Sequence, residues 1–183
     1  MNLKRTLAVI AEMQAAGVIG RYAIGGAVGA TFYLEPVRTV DVDIFVAILP
    51  EPGHLIATPK PIYDYLTARG YKPDGEYLVV EDWPVQFLPP TGPLVEEAIA
   101  QAREVEVEEK TSTAPEAART FVFSAEHLVA IALQTGRGKD KARIVQFRET
   151  GKLDKARLLD ILKRHHLMDR WAIFEQQFPD NES

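Results

Sequence analysis

Residues 25–46 read GGAVGATFYLEPVRTVDVDIFV. The stretch opens on a glycine pair, Gly25-Gly26, and closes on two aspartates, Asp41 and Asp43, inside an apolar run. From Arg38 to Ile48 the β-branched content is high and the period is two, which predicts a strand. Alternate side chains of a strand face opposite ways. Val40, Val42, Ile44 and Val46 therefore share the core face, and Asp41, Asp43 and Phe45 share the other. The two carboxylates then stand about 6–7 Å apart at their Cα atoms and repel. A divalent cation between them removes that penalty. Carboxylate oxygens are hard ligands suited to Mg²⁺, or Mn²⁺ in its place, an ion that keeps waters and borrows ligands from substrate phosphates. Taken alone, D-x-D is short and common, and a half-exposed strand with acids on its wet face is the simpler account.

The glycine pair changes the weighing. Gly25-Gly26 follows the apolar Tyr22-Ala23-Ile24 and opens a short helix closed by Pro36. Glycines there let backbone approach a ligand, and a helix start offers unpaired N–H groups to an anion. A plain tight turn explains the same pair. Read together with D-x-D, a phosphate site beside a Mg²⁺ site describes a binder of a nucleoside triphosphate (NTP).

Outward from this stretch the chain reads as mixed α and β. Leu3, Leu7, Ile10 and Ala11 share a helical face that Gly17 ends. Residues 49–61 carry four prolines and form a loop. PIYDYLTARG and PLVEEAIAQA are helices with proline in the first turn. YKPDGEYLVVEDWPVQFLPP reads as two strands, with turns at Pro73-Asp74-Gly75 and near Asp82 to Pro84. EVEVEEKTS and RTFVFS are further extended segments. After Ser124 three glycine-punctuated helices follow: SAEHLVAIALQTG, DKARIVQFRETG and DKARLLDILKRHHL. The expected plan is an α/β core over 1–123 with a helical region, 124–183, packed on it as one compact unit.

The totals bound the reading. The chain has 183 residues, 46% hydrophobic and 26% charged, which is globular composition. A net charge of −5 argues against a general nucleic-acid coat. Cysteine is absent, which excludes disulfides and thiolate metal sites. The N-terminus lacks a signal-peptide h-region and no apolar run reaches membrane-spanning length, so a cytoplasmic protein without membrane contact is expected.

The order apolar strand, Gly25-Gly26, short helix, then Arg38-Thr39-Val40-Asp41-Val42-Asp43 resembles the DNA-polymerase-β-type nucleotidyltransferase superfamily. Its minimal members and the AbiEii-like toxin branch are the most similar. Glu126-His127-Leu128-Val129-Ala130-Ile131-Ala132-Leu133, followed by Thr135-Gly136-Arg137-Gly138-Lys139-Asp140, is similar to a helical segment of that branch. The resemblance implies an α+β nucleotidyltransferase fold, a mixed sheet with flanking helices and a C-terminal helical bundle. It implies in-line transfer of a nucleoside monophosphate (NMP) from an NTP to a hydroxyl. Asp41 and Asp43 would hold the metal. Gly25 and Gly26, with Arg38 and Thr39 of the motif, would cradle the phosphates. Lys139 or Arg137 would add a cation, or be solvated residues of a helix start.

Three departures stand out. The family's third carboxylate, on a following strand, falls here on Gln86 of Trp83-Pro84-Val85-Gln86-Phe87-Leu88. An amide cannot take a proton at neutral pH. Glu81 or Asp82 would supply the missing charge if the register differs. The spacing from Gly26 to Asp41 is long, and Ala132 and Arg143 replace a lysine and an acid of the toxin branch. The acceptor, whether a tRNA end, a protein side chain or a small molecule, is open. So is a catalytically impaired protein acting as a nucleotide-binding, toxin–antitoxin or regulatory partner.

Elsewhere the signals are structural. His165-His166 reads as a cationic helix end and not a metal pair. His127 matches no serine nucleophile motif. Glu104, Glu106, Glu108 and Glu109 read as the wet face of a strand. The basic set from Arg137 to Lys155 is diluted by Asp140, Glu149 and Asp154, and reads as a solvated helical surface. Trp171 and Phe174 cap the core.

Overall fold

The structure, a computed structural model, describes residues 2–35, 39, 41–48, 58–107 and 118–179. Arg38, Val40, residues 49–57 of the expected loop, Glu108 and Glu109 lie outside the described residues. The chain begins with α1 (Leu3–Ala15), β1 (Tyr22–Ile24), α2 (Gly26–Ala30), β2 (Val42–Val46) and α3 (Lys60–Thr67). Then come β3 (Lys72–Asp74), β4 (Tyr77–Val80), β5 (Trp83–Leu88), α4 (Pro93–Ala100), β6 (Arg103–Val107) and β7 (Ala118–Val122). Four helices close it: α5 (Ala125–Thr135), α6 (Gly138–Glu149), α7 (Lys155–Arg164) and α8 (Met168–Gln177).

The seven strands form one sheet in the order β3-β4-β5-β2-β1-β7-β6. β2 runs parallel to β5, and β1 parallel to β7; the other neighbours are antiparallel. Helices pack against both faces, and β1 is buried on both sides. Tyr22, Ala23 and Ile24 are all buried. On one face Leu7, Ile10 and Met13 of α1 and Ile62 and Leu66 of α3 join Val42, Ile44 and Val46. On the other, Ala23 and Phe123 join Val95 of α4, Val129 of α5, Phe147 of α6 and Ile161 of α7. Each such side chain stabilises the fold by about 1.5–3 kcal/mol on full burial. The alternation in β2 is as its sequence implies: Val42, Ile44 and Val46 are buried while Asp43 and Phe45 are only partly so.

Two expectations need correction. Residues 71–90 form three strands and not two. The third is β3, a fully exposed three-residue edge strand whose Pro73 gives no apolar signal. The hairpin turn falls on Glu81-Asp82, both with positive φ, so Pro84 lies inside β5 opposite Val79. The tail has four helices, because Trp171 and Phe174 are the buried face of α8. Its N-cap, Leu167, makes no side-chain capping bond, so the usual start signal is missing.

Candidate functional site

Sheet register builds the floor of the site. Asp43 of β2 pairs with Gln86 of β5, and the Gly25 N–H donates to the Asp43 carbonyl at 3.0 Å. In the β4–β5 hairpin Leu78 pairs with Val85. Continuing that register by one residue sets Tyr77 opposite Gln86. Tyr77, Gln86 and Asp43 thus make one row across three strands, continued by Gly25 just past β1, all on the face away from Val42 and Ile44.

The glycine bend fits the acid closely. Gly26 has φ +57°, and a Cβ there would lie 1.9 Å from Asp43 Oδ2. Any other residue would collide with the carboxylate, in a backbone region that L side chains rarely adopt. The glycine is therefore required by the aspartate itself. Asp41, just before β2, is fixed by a near neighbour in the chain: the Thr39 hydroxyl lies 3.2 Å from both the Asp41 carbonyl and Oδ1.

The opposite wall is the start of α6. Gly136, left-handed at φ +71°, ends α5 and turns the chain so that Arg137 caps α6. Asp140 is buried there, with Arg137 Nε at 2.8 Å and Arg143 Nη1 at 3.8 Å. One acid thereby orients two guanidinium forks. Arg137, Lys139 and Arg143 line a cleft of about 870 Å³ together with Asp41, Asp43 and Gly26. Burial pushes the Asp43 carboxyl above its ordinary range; Asp41 adds to the rise, and Lys139, Arg137 and Arg143 oppose it. The wall and the floor are thus electrostatically coupled, with two acids on one side and three cations at a helix N-terminus on the other.

No protein-family model matches this sequence, and no curated protein matches it significantly. Solved structures do match. An antigenic nucleotidyltransferase-like protein from Paracoccidioides brasiliensis superposes at a TM-score of 0.61, with 16% identity, over 97% of this chain and 89% of that one. The antibiotic-resistance factor ANT(2'')-Ia does so at 0.50, with 14% identity, over 97% and 98%. The fold is the nucleotidyltransferase fold.

Within that nucleotidyltransferase fold, the expected residues separate cleanly. Gly26, Thr39, Asp41, Asp43, Gln86 and Lys139 all border the cleft. Gly25 lies beneath it, its Cβ position filled by the Phe45 ring at 2.4 Å. Arg38 is outside the described residues. Glu81 is remote from the site: it accepts from the Tyr71 hydroxyl at 2.9 Å and faces Arg5. Glu81 and Asp82 form the turn at the far end of β5, so neither replaces the missing carboxylate.

Two contributors escape a linear reading. Glu76, on the β3–β4 turn, accepts from the Gln86 amide at 2.9 Å. Tyr77 beside it has its phenol pKa raised by desolvation, then by Glu76 and Asp41, with Asp43 adding to the rise. Both line the cleft. Counting back through the Glu81-Asp82 hairpin would have put Tyr77 opposite Gln86, but a turn assigned to 82–84 breaks that count.

The donor set decides what the site can hold. Among the described residues no three His, Cys, Asp or Glu side chains converge as a metal cage. Asp41 and Asp43 offer hard oxygens, which suit an ion that completes its shell from phosphates and water.

His127 does meet a serine, but not as part of a nucleophile motif. Its Nδ1 lies 2.9 Å from Ser124 Oγ, and its Nε2 3.3 Å from Glu97 Oε1. Ser124 is buried as the N-cap of α5, so the trio is a structural bond network and not an exposed nucleophile. His165 Nε2 reaches the other Glu97 oxygen at 2.8 Å, and Arg164 joins at 2.6 Å. Glu104 and Glu106 face Arg119 across the β6–β7 ladder at 3.9 and 3.5 Å.

Proposed function

We propose that this protein is a Mg²⁺-dependent nucleotidyltransferase that moves an NMP from an NTP to a hydroxyl acceptor. The observation that carries the reading is the pairing, across one cleft, of Asp41 and Asp43 with Arg137, Lys139 and Arg143. Asp41 and Asp43 would hold the ion. When bound, Mg²⁺ supplies charge neutralisation and polarises the phosphoryl oxygens. The three cations of α6 grip the triphosphate tail, and Asp140 fixes the direction of two of them. Gly26 makes room for the Asp43 carboxylate itself, and so sets the acid at the glycine bend. Phe45, Phe123 and Leu128 line part of the same cleft. Catalysis here is mainly orientation and charge matching.

The helical segment from Glu126 to Asp140 resembles the AbiEii-like branch and supports a toxin-type activity or a toxin–antitoxin partner as its setting. A second reading has one specific observation behind it, the amide at position 86. On that reading the protein binds nucleotide and regulates a partner without turnover.

Calorimetric titration with each NTP, with and without Mg²⁺, tests the first reading. Metal-dependent binding that Asp43→Asn abolishes is the expected result; absence of binding under every condition ends it. Binding without transfer of an α-labelled NMP to any component of a cell extract selects the second.

A further inference from the structure

We propose that Glu76 is the general base of this site and that Gln86 is the positioning residue that holds it there. The inference rests on the nucleotidyl-transfer reading above. In that reaction the acceptor oxygen attacks the α-phosphorus. A new P–O bond forms while the bond to the bridging oxygen breaks, and the electron pair leaves on pyrophosphate. The hydroxyl proton must pass to a group beside the acceptor. Asp41 and Asp43 would hold the ion on that reading. Asp140 is buried and engaged by Arg137 and Arg143. Glu81 and Asp82 are at the other end of β5. Among the described residues lining the cleft, Glu76 is the carboxylate that remains.

Its placement is specific. Gln86 stands beside Asp43 in the sheet row, where a third acid would repel the pair. The amide repels neither aspartate, and its Nε2 donates to Glu76 Oε2 at 2.9 Å. A carboxylate has about four lone-pair sites, so Glu76 keeps acceptor capacity for an incoming proton. Tyr77, the next residue after Glu76, lines the same cleft as Glu76, Gln86 and the two aspartates. The proton acceptor has therefore moved one side chain outward, from the strand to the neighbouring turn, with an amide as its bracket.

The test uses the full chain, Mn²⁺ and each α-labelled NTP, with water as the acceptor hydroxyl. Release of labelled NMP gives kcat, and calorimetry with a non-hydrolysable NTP gives Kd. Glu76→Gln should lower kcat about 100-fold or more while leaving Kd within about twofold. Glu76→Asp should keep part of the rate. Gln86→Leu should lower kcat about tenfold at unchanged Kd, as a misplaced base does. Gln86→Glu should restore release to the Glu76→Gln protein by returning a carboxylate to the strand. Wild-type kcat in Glu76→Gln overturns the inference. So does a wild-type protein that binds the triphosphate and releases no NMP. Absence of Mn²⁺-dependent binding by the wild type overturns the parent reading, and this one with it.

Discussion

At the scale of single residues, Gly26 and Asp43 must be considered as a pair. A methyl at position 26 would meet the Asp43 carboxylate and force a left-handed residue. Gly26→Ala should therefore cost about 1–3 kcal/mol of stability, read as a lower denaturant midpoint at unchanged m-value. Asp43→Asn should act in the opposite direction. It removes a half-buried charge whose ionised form is disfavoured by burial and by Asp41. In chelator at neutral pH the variant should gain about 1 kcal/mol while losing metal-dependent triphosphate binding. An unchanged midpoint would mean that Asp43 is better solvated than its surroundings indicate. The two aspartates were legible in the sequence because period two is a local property. Glu76 was not, because its place depends on where a hairpin turns some five residues away.

At the scale of elements, the Glu97 cluster ties α4 to α5 and α7. Arg164, then His165 and His127, hold the Glu97 carboxyl down at about 2, against an ordinary value of 4.5. Burial also lowers the His127 pKa below 6.5. Nδ1 can then accept from Ser124 while Nε2–H donates to Glu97, so the neutral ring satisfies both neighbours. The signs agree. Glu97 stabilises fully above its unfolded value, and that contribution fades as pH falls from 4.5 towards 2. His127 stays neutral in the fold while the unfolded chain takes up a proton below 6.5, so acid again favours unfolding. Glu97→Gln should cost about 2–4 kcal/mol at pH 7 and should flatten the acid limb of a stability–pH curve measured from pH 7 to 2. The elements with strong end signals were readable: α5 has Ser124 and Gly136 at its ends, and α4 opens on Pro93. β3 and α8 were not, since β3 buries nothing and α8 starts without a capping side chain. The cluster itself joins residues 30 to 68 positions apart, a separation that no local pattern reports.

At the scale of the whole molecule, the site is a seam between the sheet and the C-terminal helices. Neither side is sufficient alone, because the sheet supplies acids and α6 supplies cations. A ligand bridging them should lock the two together. Mg²⁺ with NTP at 100 times Kd should stabilise the fold by about 2.7 kcal/mol, visible as a rise in Tm; Mg²⁺ alone should give much less. Arg137→Ala combined with Arg143→Ala should weaken triphosphate binding by about 10–100-fold. The double variant leaves Asp140 buried without its partners, so a stability measurement belongs beside the titration. The mixed sheet with a helical back was legible from the alternation of element types. The antiparallel and parallel neighbours were not, because sequence order says nothing of β5 inserting beside β2.

The carboxylate oxygen that fills the space of a missing methyl leaves a signature that outlasts its use. A descendant that abandoned chemistry could drop the acid in a single substitution, yet its left-handed bend would still favour glycine, asparagine or aspartate. On the proposed nucleotidyl-transfer reading, retention of both partners in distant copies of this chain would therefore point to continued selection on the cleft, whereas a bend kept without its acid would mark a fold retired from that reaction.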